Sequence, residues 1–211
     1  MGHYLDVERW KRREHHALYR HMAEPFVGVC AEVDATALWR RCRAPGGPRF
    51  SIAALYLALR AAQATEAFRL RLRGDRVWVH DRIGASTTVL REDETFAFAR
   101  VEPGDGFEAF HALAAAAVDR ARGSTGLAPD PDDDALIYHS TIPWLRFTAF
   151  ANPLPLGDDS VPRVVTGRCT RAGRTWRLPV AVSAHHALVD GLDLARFFER
   201  LERGLTGPLP P

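Results

Sequence analysis

The sequence predicts a fold that mixes α-helices and β-strands, and the stretch from Leu178 to Leu205 shows both periods in turn. Between Leu178 and Ala184 the larger apolar side chains fall at every second position, which is typical of a strand with one buried face. Beyond Asp190, apolar residues recur at steps of three and four, which indicates one face of an amphipathic helix. We therefore expect an α/β chain.

The composition is that of an ordinary globular protein. The 211 residues are 46% hydrophobic and 26% charged, which fits one domain, or at most two small ones, with a substantial core. Of these we expect a single domain over residues 1–211. The formal net charge of +2 gives no bulk attraction to nucleic acid or to an anionic membrane, so we expect neither as a partner.

Cysteine use and hydropathy indicate the compartment. The three cysteines are odd in number, far apart and without a CxxC pair, which favours a reducing environment over a disulfide framework. The first residues lack the apolar segment of a signal peptide. No run approaches the roughly 18 apolar residues that would span a bilayer. We therefore expect a cytoplasmic protein.

The first half of the chain alternates between helix and strand patterns. We expect a helix over residues 6–22 beginning at Asp6, a strand over 26–33, a helix over 35–43 and an apolar helix from Ser51. Two strands then flank the turn Gly74-Asp75. In the first of these strands, Arg69, Arg71 and Arg73 alternate with apolar residues. We expect these arginines to lie on the solvent-exposed face of a sheet.

The second half continues the mixture. We expect strands over residues 86–90 and 95–101, a helix over 106–122, and a hairpin over 163–184 that turns at Gly173. Asp132, Asp133 and Asp134 lack the alternating ligands and distal glutamate of a calcium loop, so a solvated acidic turn is expected there.

A compact polar group lies between the last strand and the last helix. It consists of His185, His186, Asp190 and Gly191. Asp190 alone could be a helix N-cap, with Asp193 completing a weakened capping box. A cap requires no histidines, however, so the whole group indicates a functional site.

Five segments carry a resemblance to the chloramphenicol acetyltransferase family. HHALVDG resembles the family's HHxxxDG signature, and WKRREHHALY resembles its first segment. ETF, HSTIPWLRFTAF and VVTG resemble three further family stretches in the family's order. The resemblance implies an α+β two-layer sandwich, in which helices pack on one side of a mixed β-sheet.

The resemblance also implies catalytic roles. His186 corresponds to the general base, and Ser140 to the donor that stabilises the oxyanion. Thr166 corresponds to a residue that holds a water near the oxyanion. Asp190 and Arg12 correspond to an ion pair that fixes the histidine loop. Histidine suits the role of base because its ordinary pKa lies near neutral pH.

Further positions correspond to substrate and cofactor contacts. Tyr19, Phe96, Phe98 and Phe150 are the implied residues of the acceptor pocket. Arg49 and Ser140 are the implied residues of the coenzyme A site, since arginine can hold phosphate bidentately. Cys169 and Thr170 replace a lysine-tyrosine pair that the family places near coenzyme A.

The implied activity is transfer of an acetyl group from acetyl-CoA to a hydroxyl of chloramphenicol in a ternary complex. The family assembles as a homotrimer with active sites between subunits. Two alternatives stay open: an acyltransferase for another alcohol or amine, and a non-catalytic binding module with the same fold. A metal site built from histidines is disfavoured because no HExxH or similar spacing occurs.

Overall fold

The computed structural model describes residues 1–127, 133–155 and 159–209. The α-helices are α1 (Arg13–Tyr19), α2 (Thr36–Arg43), α3 (Phe50–Ala64), α4 (Phe107–Arg122) and α5 (Gly191–Thr206). The strands are β1 (Gly2–Tyr4), β2 (Phe26–Asp34), β3 (Leu70–Arg73), β4 (Arg76–His80), β5 (Gly84–Leu90), β6 (Phe96–Val101), β7 (Leu136–Thr141), β8 (Arg163–Thr166), β9 (Thr170–Ala172) and β10 (Thr175–His185). Short 3-10 turns occur at Val7–Arg9 and Glu66–Arg69.

The larger sheet positions the site. Within the described residues its strands run in the order β2-β10-β8-β7-β5-β6, with β9 paired to β10. The pairs β5–β7 and β7–β8 are parallel and the others antiparallel, so the sheet is mixed. Helix α3, buried on most sides, packs with α4 and α5 against one face of this sheet. The predicted fold class is therefore confirmed.

The alternation along each strand separates two faces. In β10, Leu178, Val180 and Val182 are at most 2% exposed and belong to the core under the helices. On the opposite face, β5, β6 and β7 present polar and aromatic side chains that remain partly exposed. The helix-free face of these strands is thus available for a site.

The predicted helix over residues 6–22 is wrong in its extent. Asp6 accepts a hydrogen bond from the backbone N–H of Arg9, but it caps only the 3-10 turn. The chain is extended at Trp10 before α1 begins. This break places Arg12 at the start of α1, where its side chain reaches Asp190.

The predicted exposure of the arginine row is also wrong for Arg71, whereas Arg73 is exposed. Arg71 is fully buried, and its guanidinium donates to the backbone carbonyls of Phe68, Leu70, Asp134 and Leu136. Burial lowers the pKa of Arg71 to about 10. Segment 133–136 thus covers the face of β3 that carries Arg71, so this face does not meet water.

The predicted solvated acidic turn is wrong for the two aspartates that the structure describes; Asp132 lies outside the described residues. Asp134 accepts hydrogen bonds from Arg73 at 2.8 Å and from His80 at 2.9 Å. Burial opposes ionisation of Asp134, but these bonds outweigh it and lower its pKa. Asp133 pairs with Arg100. Both carboxylates therefore fasten this segment to neighbouring strands.

No helix in the described part of the chain is long and apolar enough to cross a membrane.

Candidate active site

The turn over residues 185–190, here called the histidine turn, holds the imidazole of His186 in one tautomer. The ring Nδ1 of His186 lies 2.9 Å from the carbonyl oxygen of Val189. A carbonyl only accepts, so Nδ1 carries the proton and Nε2 is left with a free lone pair. The backbone N–H of His186 donates to Pro25 at 2.7 Å, which ties the turn to the start of β2. The arrangement leaves the lone pair of the neutral ring on Nε2.

Asp190 has two roles at the end of this turn. Its carboxylate accepts from the backbone N–H groups of Leu192 and Asp193, and the Asp193 side chain accepts from the N–H of Asp190. This is a complete capping box at the start of α5. The same carboxylate pairs with Arg12 across 178 positions. The cap interpretation and the ion-pair interpretation therefore both hold.

Charge around Asp190 is balanced by Arg12. Burial opposes ionisation of Asp190, but the N–H of Asp193 and the guanidinium of Arg12 outweigh it, so its pKa is lowered. Burial raises the pKa of neighbouring Asp193. The other guanidinium arm of Arg12 donates to the carbonyl of His186 at 3.3 Å. Arg12 thus contacts both ends of the histidine turn.

Tyr19 lies against the imidazole. Its ring stacks on that of His186 with centroids 3.9 Å apart and an interplanar angle of 26°. His185 is 4% exposed, and its Nδ1 accepts from the N–H of Ala187 at 3.2 Å. His185 is therefore a support of the turn, while His186 faces outward beside Tyr19.

Ser140 lies in β7 on the helix-free face. The hydroxyl of Thr88 in β5 donates to the Ser140 oxygen at 3.2 Å. Because that oxygen already accepts, the proton of Ser140 is free to be donated to another group. Thr166 in β8 lies 3.2 Å from the hydroxyl of Thr141 and 3.5 Å from the carbonyl of Ser140. Thr166 thus lies on the strand next to Ser140 and contacts its backbone.

A cavity of about 960 Å³ is lined by Thr88, Ser140 and Thr141, whereas Thr166 does not line it in the described residues. Its apolar end contains Phe96, Phe98 and Phe150, three of the four predicted acceptor-pocket residues. The rings of Phe96 and Phe98 meet edge to face with centroids 5.5 Å apart. The volume is sufficient for a drug-sized molecule. The fourth predicted residue, Tyr19, does not line the cavity in the described residues.

His186 and Ser140 are well separated within one chain. Ser140 pairs with Val165, and Val165 pairs with Ala181 two strands away. His186 lies five residues beyond Ala181, which is about 17 Å along the strand direction. In the described residues His186 does not line the cavity. A single chain therefore presents the imidazole and the hydroxyl in different places.

Arg49 lies at the N-terminus of α3. Its guanidinium is half exposed and pairs with Asp119 of α4 at 3.4 Å. It shows no contact with the cavity in the described residues. Among those residues no cluster of three or more His, Cys, Asp or Glu side chains could hold a metal ion.

Sequence reasoning missed several cavity residues. Ser86, Thr88 and Tyr138 all lie on its floor. The spacing of two between Tyr138 and Ser140, and between Ser86 and Thr88, places each pair on one face of a strand. That signal is present in the sequence, but which face is covered by helices is not.

The chain matches known proteins over almost its whole length. A family profile described as "CAT: Chloramphenicol acetyltransferase" matches residues 3–202. The chain is similar to a chloramphenicol acetyltransferase of Streptomyces acrimycini, with 34% identity over 97% of this chain and 94% of that protein. It is also similar to chloramphenicol acetyltransferase 3 of Escherichia coli, with 28% identity over 94% of each.

Solved structures of known proteins share the fold of this chain. A chloramphenicol acetyltransferase superposes with a TM-score of 0.86 and 27% identity, covering 97% of this chain and 100% of that one. A truncated catalytic core of a 2-oxoacid dehydrogenase complex from Thermoplasma acidophilum shares the fold, with a TM-score of 0.69, 15% identity and 92% of each chain covered.

The fold and these similarities define an acyltransferase. More narrowly, the chain belongs to the chloramphenicol acetyltransferase family.

Proposed function

We propose that this protein transfers an acetyl group from acetyl-CoA to a hydroxyl of chloramphenicol, with His186 as general base in a ternary complex. The observation that carries the proposal is the hydrogen bond from His186 Nδ1 to the Val189 carbonyl, which places the proton of the neutral ring on Nδ1 and its lone pair on Nε2. Nε2 takes the proton of the acceptor hydroxyl while the hydroxyl oxygen attacks the thioester carbon. The thiolate of CoA then leaves and receives that proton. In this proposal the acceptor, chloramphenicol, is taken from the names of the relatives, and the thioester, acetyl-CoA, is taken from the family.

Ser140 and Thr166 are the proposed partners of the developing negative charge. The proton of Ser140 is available because its oxygen accepts from Thr88. A donor fixed in advance stabilises an oxyanion without reorganisation. Asp190 and Arg12 are positioning residues in this scheme, since they contact the turn and leave the reacting atoms to His186.

An arginine-rich surface supports binding of a phosphorylated co-substrate. Trp39 of α2 stacks on Trp176 of β10 with ring centroids 4.1 Å apart, which holds α2 beside the β9–β10 hairpin. Seven arginines in these segments or directly before β9 form no ion pair within the described residues: Arg40, Arg41, Arg43, Arg168, Arg171, Arg174 and Arg177. Arginine holds phosphate well. These residues fit the phosphates of coenzyme A, with Arg49 a further candidate.

We propose a homotrimer whose active sites lie between subunits. The support is the separation of His186 from Ser140 within one chain, together with the family's architecture. A neighbouring subunit would bring its His186 and Tyr19 to the cavity that Ser140 lines. We further propose that the whole chain forms one domain and acts in the cytoplasm.

Complementation tests the shared site. Chains carrying His186→Ala and chains carrying Ser140→Ala are each expected to be nearly inactive. Co-expressed, they form mixed trimers in which an intact His186 meets an intact Ser140, and activity returns. If the mixed trimers, verified by mass, stay as inactive as the separate variants, the site does not lie between subunits.

Thiol release from acetyl-CoA tests the activity itself. We expect release that depends on added chloramphenicol, and an acetylated product by mass spectrometry. Calorimetry with CoA supplies the second measurement. Absence of turnover with any alcohol, together with absence of CoA binding, would leave the non-catalytic module as the better explanation.

A second acceptor class has one observation in its favour. Phe98 lines the cavity where the resembling family has a small residue. Its ring narrows the apolar end beside Phe96. An alcohol other than chloramphenicol is therefore the alternative substrate, and a panel of alcohols in the same assay separates the two.

A further inference from the structure

The floor of the cavity is built in rows across β6, β5 and β7. The strand register places Leu90 beside Phe96, and Thr88 beside Phe98. Ser140 joins the second of these rows through its hydrogen bond from Thr88. The first row is apolar, and the second carries the hydroxyl that faces the reaction.

A third row lies one strand repeat further from the apolar end. Ser86 pairs with Arg100 in β6 and with Tyr138 in β7, and Tyr138 pairs with Arg163 in β8. All four line the cavity. Two residues along a strand span about 7 Å, so this third row lies about 7 Å from Ser140.

The charged members of the third row are already neutralised. Arg100 pairs with Asp133 and with the more exposed Glu102, and Arg163 pairs with Asp159. Each arginine therefore has a carboxylate partner, and each of these carboxylates has an arginine partner. A charged ligand group would bring an additional charge that has no counterpart here, which makes its burial costly.

The hydroxyls of the third row are open. Neither the Ser86 nor the Tyr138 hydroxyl makes a hydrogen bond within the described residues, and both side chains are partly exposed. An apolar ligand group placed here would remove water from two hydroxyls without replacing its hydrogen bonds. A site of this kind selects against the analogue that lacks a hydrogen-bonding group.

We propose that Ser86 and Tyr138 select acceptor alcohols carrying a second, uncharged hydrogen-bonding group, such as a hydroxyl or an amide, about 7 Å from the reacting end. This inference rests on the proposed function, because it specifies the acceptor of the same site. The body of the acceptor lies over the apolar and hydroxyl rows. The second hydrogen-bonding group of the acceptor forms hydrogen bonds with the hydroxyls of Ser86 and Tyr138.

Three alcohols of one shape test the selection. They are 1,4-benzenedimethanol, 4-methylbenzyl alcohol and 4-(hydroxymethyl)benzoate, which differ only in the group opposite the reacting hydroxyl. After correction for its two equivalent hydroxyls, the diol is expected to show a kcat/KM about 10-fold above each of the others. Tyr138→Phe, and separately Ser86→Ala, should reduce this preference to about 2-fold, with the KM for acetyl-CoA unchanged.

Tyr56→Phe is the matched control. The Tyr56 hydroxyl accepts a hydrogen bond from the exposed residue Arg60, and Tyr56 does not line this cavity in the described residues. This variant should keep the preference of the unmodified protein. Thermal melting of all variants separates loss of selection from loss of folding.

The outcomes separate the inference from the function. If thiol release occurs with chloramphenicol but the diol and its methyl analogue react equally, the selection is overturned and the activity stands. Faster reaction of the benzoate would overturn the selection as well. If no alcohol causes thiol release, the proposed function is overturned, and the proposed selection is overturned as well.

Discussion

The histidine turn and the cavity floor differ in how completely their polar groups are used. In the turn, the Nδ1 of His186, the Asp190 carboxylate and the Arg12 guanidinium all have partners inside the protein. On the floor, Ser86 and Tyr138 keep hydroxyls without such partners in the described residues. The hydrogen bonds of the turn hold one geometry, whereas the hydroxyls of the floor remain available to form hydrogen bonds with a ligand.

This difference separates chemistry from selection. The proposed base must be held in one orientation and one tautomer, and hydrogen bonds within the protein hold it there. A pocket must exchange its bonds to water for bonds to a ligand, so open groups are required there. Substitutions in the turn should therefore reduce the rate for every acceptor, and substitutions on the floor should change which acceptor is preferred.

The largest effect is expected from His186→Ala. Loss of a general base typically reduces turnover about 10²–10⁴-fold, and we expect a decrease in kcat on the order of 10³-fold for every acceptor. Subunit assembly should persist, because the backbone bond to Pro25 remains. Steady-state kinetics with sedimentation analysis checks both statements. A variant that keeps its activity would reject His186 as the base.

Ser140→Ala should have the next largest effect. Loss of one oxyanion donor costs on the order of 10²-fold in kcat. Since the donor acts in the transition state, the KM for both substrates should change little. Initial rates over a grid of both substrate concentrations measure these constants. If KM rises while kcat is retained, Ser140 contributes to binding instead.

Two substitutions of Asp190 separate its roles. Asp190→Asn keeps a good N-cap but loses the charge that pairs with Arg12, at an expected cost of about 2 kcal/mol in unfolding free energy. Asp190→Ala loses the cap as well, for about 1 kcal/mol more. Urea unfolding, followed by activity on the same samples, provides the comparison. If both variants are as stable as the unmodified protein, the ion pair between Arg12 and Asp190 does not contribute to stability.

The smallest effect concerns acid stability through His139, directly before Ser140. Burial lowers the pKa of His139 to about 4, and its Nδ1 lies 2.9 Å from the Thr87 hydroxyl. Its folded pKa lies below the ordinary value of 6.5, so the unfolded chain takes up the proton first. Stability is therefore complete above pH 6.5 and declines as the pH falls toward 4.

Because of His139, we expect the unfolding free energy to be roughly 1.5 kcal/mol lower at pH 5.5 than at pH 8. Urea unfolding at the two pH values measures it. His139→Gln should lower stability at both values but remove this part of the pH dependence. An unchanged difference between the two pH values would show that other groups cause it.

The sequence predicts the turn better than the floor. The histidine turn is contiguous, so periodicity and the motif HHALVDG place it between a strand and a helix without knowledge of the tertiary fold. Its link to Arg12 spans 178 positions and was available only through family resemblance. Local patterns cannot reveal a partner at that distance.

The floor depends on register, which alternation does not determine. The neighbours Ser86 and Tyr138 belong to parallel strands joined through the helix α4, and their pairing follows from the tertiary packing. Arg71 shows the same limit, because alternation gave its face correctly but not what covers that face. The predicted roles of Tyr19, Phe96, Phe98, Phe150 and Arg49 remain predictions.

The capping box at Asp190 links heat tolerance to turnover. One carboxylate both begins α5 and anchors the arginine beside the imidazole. Fraying of the first turn of α5 would therefore release the imidazole before the rest of the molecule melts. On warming, activity should be lost at a lower temperature than that of global unfolding. A variant that stays active at higher temperature would therefore have to stabilise this junction first.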